Sequence, residues 1–518
     1  MNIFSGQLFP HRALGFLTLG ASLHDIITRL KAEPHRFPKL DLIYSRQDPV
    51  HEPVTINLPA NGLRLRFDGP EQRLRLIEVT DFTKNHVTYK NIDLLKPPAS
   101  QSAPTSPALG DPQSAGPTFR HIYSKFLGPT YAGEYIASPD DSSTGVYVLS
   151  YPGVAFTFPL SQVAYSPSKD VVSLLSASPS QVAQSMAVFN GSSWAAARDV
   201  IWTEVLPSIK ASTHLPRSKD VVPDEISLVR IHGGGKLQLM KKWTTASSWI
   251  SLGETSPQEL VAELGPPNAI YRKNDQRMTI HKQRTSHSRT HGPGDDLRLG
   301  DMSDPDHSPP MTASDGAYDD SNSDEIATGN ISGECFFNYF YLGFDILVSV
   351  PESPPSVTPP SLNSASTPEP PAKTFSADRL VATKLILHGN VPGSYEFNRH
   401  RRCRWEIAYL AGSNPDGPPN SETPFSQTKS QLIQRWSAAL APGDSPKWEN
   451  GMVLNRGWGD SPGSSCELLG GWEETAGLAS APLTGGDVVN ELTTALYGLP
   501  GLVFEVLRND YVNTVTVF

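Results

Sequence analysis

Cysteine is scarce: three in 518 residues, at Cys335, Cys403 and Cys466. That is too few and too scattered for a disulfide framework or for zinc modules built on paired CxxC turns, and the odd count fits a reducing compartment. Long apolar runs are missing as well. No stretch approaches the roughly 18 consecutive apolar residues that a spanning helix needs. The opening "MNIFSGQLFPHRALGFLTLG" also lacks the apolar core and small-residue cleavage site of a signal peptide. Positive charge is in deficit, with a net charge of −10 and a pI near 5.8, which argues against a general nucleic-acid binder. The expectation is a soluble, cytoplasmic protein with no nucleic-acid partner. Apolar residues make up only 38% of the chain and prolines number 47, the latter about twice the usual share. Length alone allows about two to four domains, and this composition means that the ordered part is interrupted by inserts.

Four stretches read as unable to bury enough apolar surface to offset chain entropy: 97–117, 283–332, 351–376 and 411–428. Two of them separate segments that look like neighbouring strands, so they read as insertions within a domain, which loop-closure entropy tolerates. Between them a pattern recurs. "LGASLHDIITRL" predicts a helix, with Ser22 and Asp25 at capping-box spacing and Ile26, Ile27 and Leu30 on one face. Short period-two runs follow at 54–58, 62–68 and 74–79, as antiparallel strands do. "LGETSPQELVAELGPP" repeats the helix signal, with Ser256 as N-cap, Pro257 in the first turn, Glu259 completing the box and Gly265-Pro266 as the stop. Strands are expected after it at 268–273, 277–282, 339–350 and 383–389, a weaker middle copy at 126–160, and a final hairpin turning at Asn509-Asp510. Gly62, Gly153, Gly343 and Gly501 precede the alternating strands and read as tight turns. The predicted class is α+β, built from repeated helix-plus-antiparallel-meander modules. The units are a first module at 12–96, a disordered linker at 97–117, a second module at 118–245, a third at 246–410 containing the inserts 283–332 and 351–376, and an extension at 411–518 ending in the hairpin 501–518.

The candidate chemistry is thin. "RIHGGGK" at 230–236 lacks phosphate-loop spacing and reads as a glycine hairpin turn. "GDSPG" at 459–463 is not a nucleophile elbow. Asp41, Asp68, Glu78 and Asp81 cannot be joined into an acid/base pair, and Asp68 reads as a turn former. His388, His400 and Cys403 raise a zinc reading, but they lack a fourth ligand and do not share a strand face. The expectation is therefore no catalytic residue, no metal and no cofactor. In "LHGNVPGSYEFNRHRRCRWEI" (387–407) the turn "GNVPG" suggests a hairpin, and the run Arg399, Arg401, Arg402 and Arg404 is a candidate contact for an acidic partner or anionic lipid headgroups. The alternative is a charged strand face whose arginines pair with acidic neighbours in the same sheet.

Collinear blocks carry a resemblance. "LTLGASLHDII", "DLIYSRQDPV", "NGLRLRFDGPEQRLRLIEVTDFTK", "LGPTYAGEY", "YPGVAFTFPL", "LGPPNAIYRKNDQRMTIH", "FFNYFYLGFDILV", the 387–407 stretch and "LVFEVLRNDYVNTVTVF" follow one another in order. In this the chain resembles the phagophore (phagosome) assembly factor family, formerly described as Lin-10 homologues. The resemblance implies a non-enzymatic interaction subunit in autophagy, recruited from the cytoplasm to the preautophagosomal structure with indirect membrane association. It also implies a WD-repeat β-propeller partner that reads phosphoinositide, and an association with Golgi-derived trafficking. It supplies no catalytic residues. The rival reading from the residues is a direct binder of anionic lipid or a small ligand in Golgi or endosomal trafficking, with the arginine run taking the anionic groups.

Overall fold

The computed structural model describes residues 3–95, 116–137, 144–175, 181–206, 224–272, 334–351, 379–411, 417–437, 451–455 and 493–518. The first part of the chain opens with a small meander, β1 (Phe4–Phe9), β2 (Ala13–Leu14) and β3 (Leu17–Thr18), followed by helix α1 (Leu23–Ala32). Ser22 caps α1 by accepting from Asp25 N at 3.1 Å, the short-range bond that a Ser N-cap provides. Next come β4 (Asp41–Ile43), β5 (Val54–Leu58), β6 (Leu63–Phe67) and β7 (Leu74–Val79), then β8 (Asn85–Tyr89) and β9 (Ile92–Asp93). β8 returns to lie parallel to β1, and β9 pairs with it as the far edge of the small sheet. A short helical stretch with a π turn at Ile122–Phe126 leads to β10 (Glu134–Ala137), β11 (Thr144–Tyr151), β12 (Val154–Ser161) and β13 (Ser185–Val188). β13 joins β7 antiparallel and closes an eight-stranded sheet in the order β10-β11-β12-β13-β7-β6-β5-β4.

The second part repeats this plan. β14 (Ile226–Gly233), β15 (Lys236–Lys241) and β16 (Ser247–Ser251) form the small meander, and α2 (Pro257–Leu264) follows with a full Ser256/Glu259 capping box and Gly265 at its end, φ +81°. β17 (Ala269–Arg272), β18 (Cys335–Tyr339), β19 (Phe344–Ser349) and β20 (Val381–His388) make the four-strand run, and β21 (Trp405–Ile407) returns parallel to β14. Helix α3 (Phe425–Ser437) leads to β22 (Met452–Asn455), β23 (Thr493–Leu499), β24 (Leu502–Val506) and β25 (Val512–Val517). β25 joins β20, giving the order β17-β18-β19-β20-β25-β24-β23-β22. Strand for strand this is the order of the first eight-stranded sheet, so the chain holds two halves of one topology.

Each half buries its own core. In the first, Leu23, Ile26, Ile27 and Leu30 of α1 meet Phe4 and Leu8 of the small sheet and Ile56, Leu65 and Ile77 of the large one. In the second, Leu260 and Leu264 of α2 and Phe425 and Leu432 of α3 meet Val229, Ile231, Phe344, Ile346, Leu385 and Val515. The alternation that marks β5 and β6 in the sequence is the buried/half-buried alternation of a sheet with one covered face. Each such apolar side chain contributes about 1.5–3 kcal/mol when removed from water.

The mixed, largely antiparallel architecture is as expected, but the unit boundaries are not. The boundaries at 97–117, 245/246 and 410/411 give way to two halves, because β13 completes the sheet begun by β7 and β25 the sheet begun by β20. The weaker middle copy corresponds to the C-terminal strands rather than to the second helix-plus-meander. The stretch 417–428, read as unable to fold, holds buried Ser421, Phe425 and Thr428 and the start of α3, since a few apolar residues in a polar run are enough when a ready-made sheet receives them. The strands flanking two of the inserts pair directly, Ile270 with Phe337 and Ile346 with Leu385, so both inserts lie inside the second half. The 277–282 strand, "GDSPG" and Cys466 fall outside the described residues. Gly62, Gly153, Gly343 and Gly501 all take positive φ at strand turns, Asp510 does so in the final hairpin, and Gly233 to Gly235 turn β14 into β15.

Candidate functional site: an arm between the halves

The stretch 389–404 is not a hairpin. β20 already has β19 on one side and β25 on the other, so no edge is left for a returning strand, and β21 goes to the small sheet instead. Asn390, Gly393 and Asn398 take positive φ, which breaks the extended backbone that a strand needs. The result is an irregular arm lying against the first half.

The arm is held by polar contacts that cross between the halves. Asn390 and Gln72 exchange amide bonds: Gln72 Nε2 donates to Asn390 O at 2.7 Å, and Asn390 Nδ2 donates to Gln72 Oε1 at 2.8 Å. Both are buried and both sit in left-handed backbone, φ +53° and +46°, a conformation costing about 1–2 kcal/mol at a non-glycine residue. Arg401 pairs with Asp25 at the start of α1 and, at 3.2 Å, with Glu225, and Glu225 also takes Arg73 at 2.9 Å. Arg402 is fully enclosed. It donates to Pro70 O and Gly389 O, each at 2.7 Å, to Ser421 O at 3.3 Å and to Glu422 at 3.4 Å. Arg404 binds Glu422 at 2.9 Å and faces Glu71 at 3.6 Å, and Glu71 also receives Lys242 at 2.5 Å. Away from the arginines, Tyr511 donates to Asp48 at 2.9 Å, and Val50, Val391 and Tyr511 form a small apolar cluster.

These pairings correct the reading of the arginine run as a contact for an acidic partner or lipid headgroups. Arg399 faces Glu396 at 3.7 Å, and Arg401, Arg402 and Arg404 are committed to carboxylates and carbonyls of the chain itself. The partners come from the other half, the arm, Glu225 just ahead of β14 and the 417–422 segment rather than from one strand face. Burial works against the charges of Asp25 and Glu422, yet their cationic partners outweigh it. For Asp25, the bonds from His24 and Arg401 outweigh desolvation and hold it well below the usual carboxylate range. For Glu422, Arg404 and Arg402 do the same. Of the other carboxylates singled out, Asp68 is buried against Arg75 at 2.7 Å and accepts from Glu71 N at 2.7 Å, Glu78 faces Arg66 at 3.1 Å, Asp81 caps a short turn through Thr83 N, and Asp41 faces Lys39 at 3.6 Å.

The candidate zinc set is rearranged. His388 and His400 come together across the base of the arm, but Cys403 does not join them: its thiol is buried and pushed up to about 12 by desolvation. The third member is Asp345 on β19, which no sequence spacing links to the histidines. Its carboxylate receives His388 Nε2 at 2.9 Å and His400 Nε2 at 3.0 Å, and these donor atoms lie within 4.8 Å of one another. The rings stack with centroids 3.7 Å apart and planes 6° from parallel. An imidazole donates to a metal in its own plane at about 2.0–2.1 Å, and two near-parallel planes at this separation have no common point within that reach. The arrangement fits two imidazole donors on one carboxylate, each on its own oxygen, instead of an ion. Although burial opposes it, Asp345 and Glu396 raise His388 to about 9, whereas burial and the adjacent His388 lower His400 to about 4. The shifts run in opposite directions, favouring the charge on His388 over His400, and the two rings together tie β19, the end of β20 and the far end of the arm to one carboxylate.

The family model described as phagosome assembly factor 1 matches residues 13–296 and 374–518. The chain belongs to that family. Curated relatives named PHAF1 proteins align along nearly all of it: one from Arabidopsis thaliana is 23% identical over 99% of this chain and 92% of its own length, and one from Drosophila melanogaster is 22% identical over 99% and 93%. A Caenorhabditis elegans PHAF1 protein is 23% identical over 75% of this chain and 73% of its own. No solved structure matches. The family match passes over 297–373, which takes in much of both inserts of the second half together with β18 and β19 and so Asp345, while the arm itself and its contacts in the first half lie within it. Among the described residues, no helix is long and apolar enough to cross a membrane.

Proposed function

We propose that this chain is a non-enzymatic interaction subunit in phagosome assembly. On this reading it moves from the cytoplasm to the forming autophagic membrane together with a WD-repeat β-propeller partner that reads phosphoinositide. The observation that carries the reading is the family match spanning both halves. The geometry supports it in one respect. The charged groups that would otherwise bind a ligand are used to fix one half on the other, which suits a rigid platform presenting two eight-stranded sheets to partners. Membrane attachment is then indirect and belongs to the propeller. Affinity capture of the tagged chain from starved cells, read by mass spectrometry, should recover a WD-repeat protein. Sedimentation with phosphoinositide vesicles should leave the chain alone in the supernatant and bring it down once the partner is added. Sedimentation without a partner, or capture that yields no propeller, would overturn the proposal.

A further inference from the structure

The stacked pair at the base of the arm has a property that neither histidine would have alone. His388 and His400 face each other at 3.7 Å and share the two oxygens of Asp345. The other charged groups facing them are few. Glu396 lies 3.5 Å from His388 Nδ1, and Arg399 lies 3.7 Å from Glu396. From the β18–β19 turn comes only the Phe340 ring, 4.9 Å from His400. Arg401, next in the chain, is turned away to Asp25 and Glu225. Asp345 and Glu396 are thus set against one imidazolium and Arg399, a balanced cluster. A second proton would put two parallel cations in contact within a site closed to water, where like charges repel far more strongly than in solution. His400 can relieve this only by leaving Asp345, and His400 is joined directly to Arg401 and Arg402, which grip the first half.

We propose that the Asp345–His388–His400 cluster is an acid-operated clasp: uptake of a second proton by the histidine pair frees the far end of the 389–404 arm and loosens the first half from the second. The sign follows from linkage. The closed clasp holds His400 neutral, with its affinity for a proton lowered to about pH 4, whereas a freed His400 binds one in the ordinary range near 6.5. Below that range the ratio of open to closed arm therefore rises by about tenfold for each pH unit, until the closed form is itself protonated.

Hydrogen exchange on the full chain, corrected for the intrinsic pH dependence of exchange, reads this directly. Between pH 6.5 and 4.5, peptides covering 389–404 should lose protection by about tenfold per unit, while those of β5 to β7 hold theirs. His400→Gln keeps a donor for Asp345 but cannot take up a proton, so its arm should stay protected across the same range. His388→Gln, a second variant, removes the resident charge and should shift arm opening to lower pH. A wild-type arm whose protection follows that of β5 to β7 would overturn the proposal, and so would arm opening at the same pH in wild type and His400→Gln.

Discussion

Replacing Arg402 by alanine tests most directly whether the arm joins the halves. The side chain is 2% exposed and donates to Pro70 O in the first half, to Gly389 O at the base of the arm, and to Ser421 O and Glu422 beyond it. Its removal takes the donor from two short carbonyl contacts and leaves Glu422 with Arg404 and the Ser421 hydroxyl. Breaking a buried ion pair from one side costs about 3–5 kcal/mol, and each orphaned buried acceptor about 1–3 kcal/mol. The two penalties describe overlapping losses, so the expectation is about 4 kcal/mol rather than their sum. Arg402→Lys should recover only part of this, because an ammonium cannot reach Pro70 and Gly389 with a planar fork. Arg399→Ala, which loses only a longer, mostly covered pairing with Glu396 at 3.7 Å, should cost less, about 1 kcal/mol. Equilibrium urea unfolding followed by tryptophan fluorescence compares the three. With the joint broken, the halves should also part into two transitions, since each has its own core. A loss for Arg402→Ala no larger than that for Arg399→Ala would refute the assignment of the run to an internal joint.

Further outcomes are expected. Gly343→Ala should cost more than about 2 kcal/mol by thermal denaturation, because φ is +87° and a Cβ would lie 2.5 Å from Arg401 O and 2.9 Å from Cys403 Cβ. Gly128→Ala, with φ +92° but open space around it, should pay only the backbone penalty of about 1 kcal/mol. In a double-mutant cycle, Gln72→Ala and Asn390→Ala should couple by about 1 kcal/mol or more, as residues sharing hydrogen bonds do; additive effects would mean that the exchanged amides do not bind the halves. Ser256→Ala, which removes one side of the capping box, should cost about 1 kcal/mol, whereas an unchanged melting temperature would mean that packing alone holds α2. On the alkaline side, His388 is raised to about 9, so the stability it contributes is full below about 6.5 and fades as pH rises through 9. A pH series of melting temperatures should show that decline in wild type and lose it in His388→Asn.

Much of the architecture could be read from local signals. The helix N-caps at Ser22 and Ser256, the alternation in 54–58 and 62–68, and the turn glycines each depend on neighbours a few residues away, and each falls within a residue or two of its place in the sequence. What could not be read is which strand completes which sheet. β13 and β25 pair with strands on the far side of long intervening segments, and nothing in their alternation names a partner. The same limit applies at the arm. The sequence displayed His388, His400 and the arginines but did not mark Asp345, Asp25, Glu71 or Glu225 as their partners, since a buried carboxylate resembles an exposed one until the fold sets a cation beside it. Asn390, two residues past the strand end and beside "VPG", was the available sign that the chain turns away instead of forming a hairpin.

The placement of β25 bears on how the chain is made. The first large sheet closes when β13, ending at Val188, reaches β7, whereas the second must wait for β25 to slot between β20 and β24, pairing Leu385 with Val517. During synthesis the N-terminal half can therefore be finished while its counterpart still has an unfilled gap at the middle of its sheet, with β20 exposing an apolar edge. The arm lies directly after that strand. The finished half, offering Asp25, Pro70 and Gln72, then serves as a surface on which the arm can settle early, holding β20 in place until its last neighbour emerges.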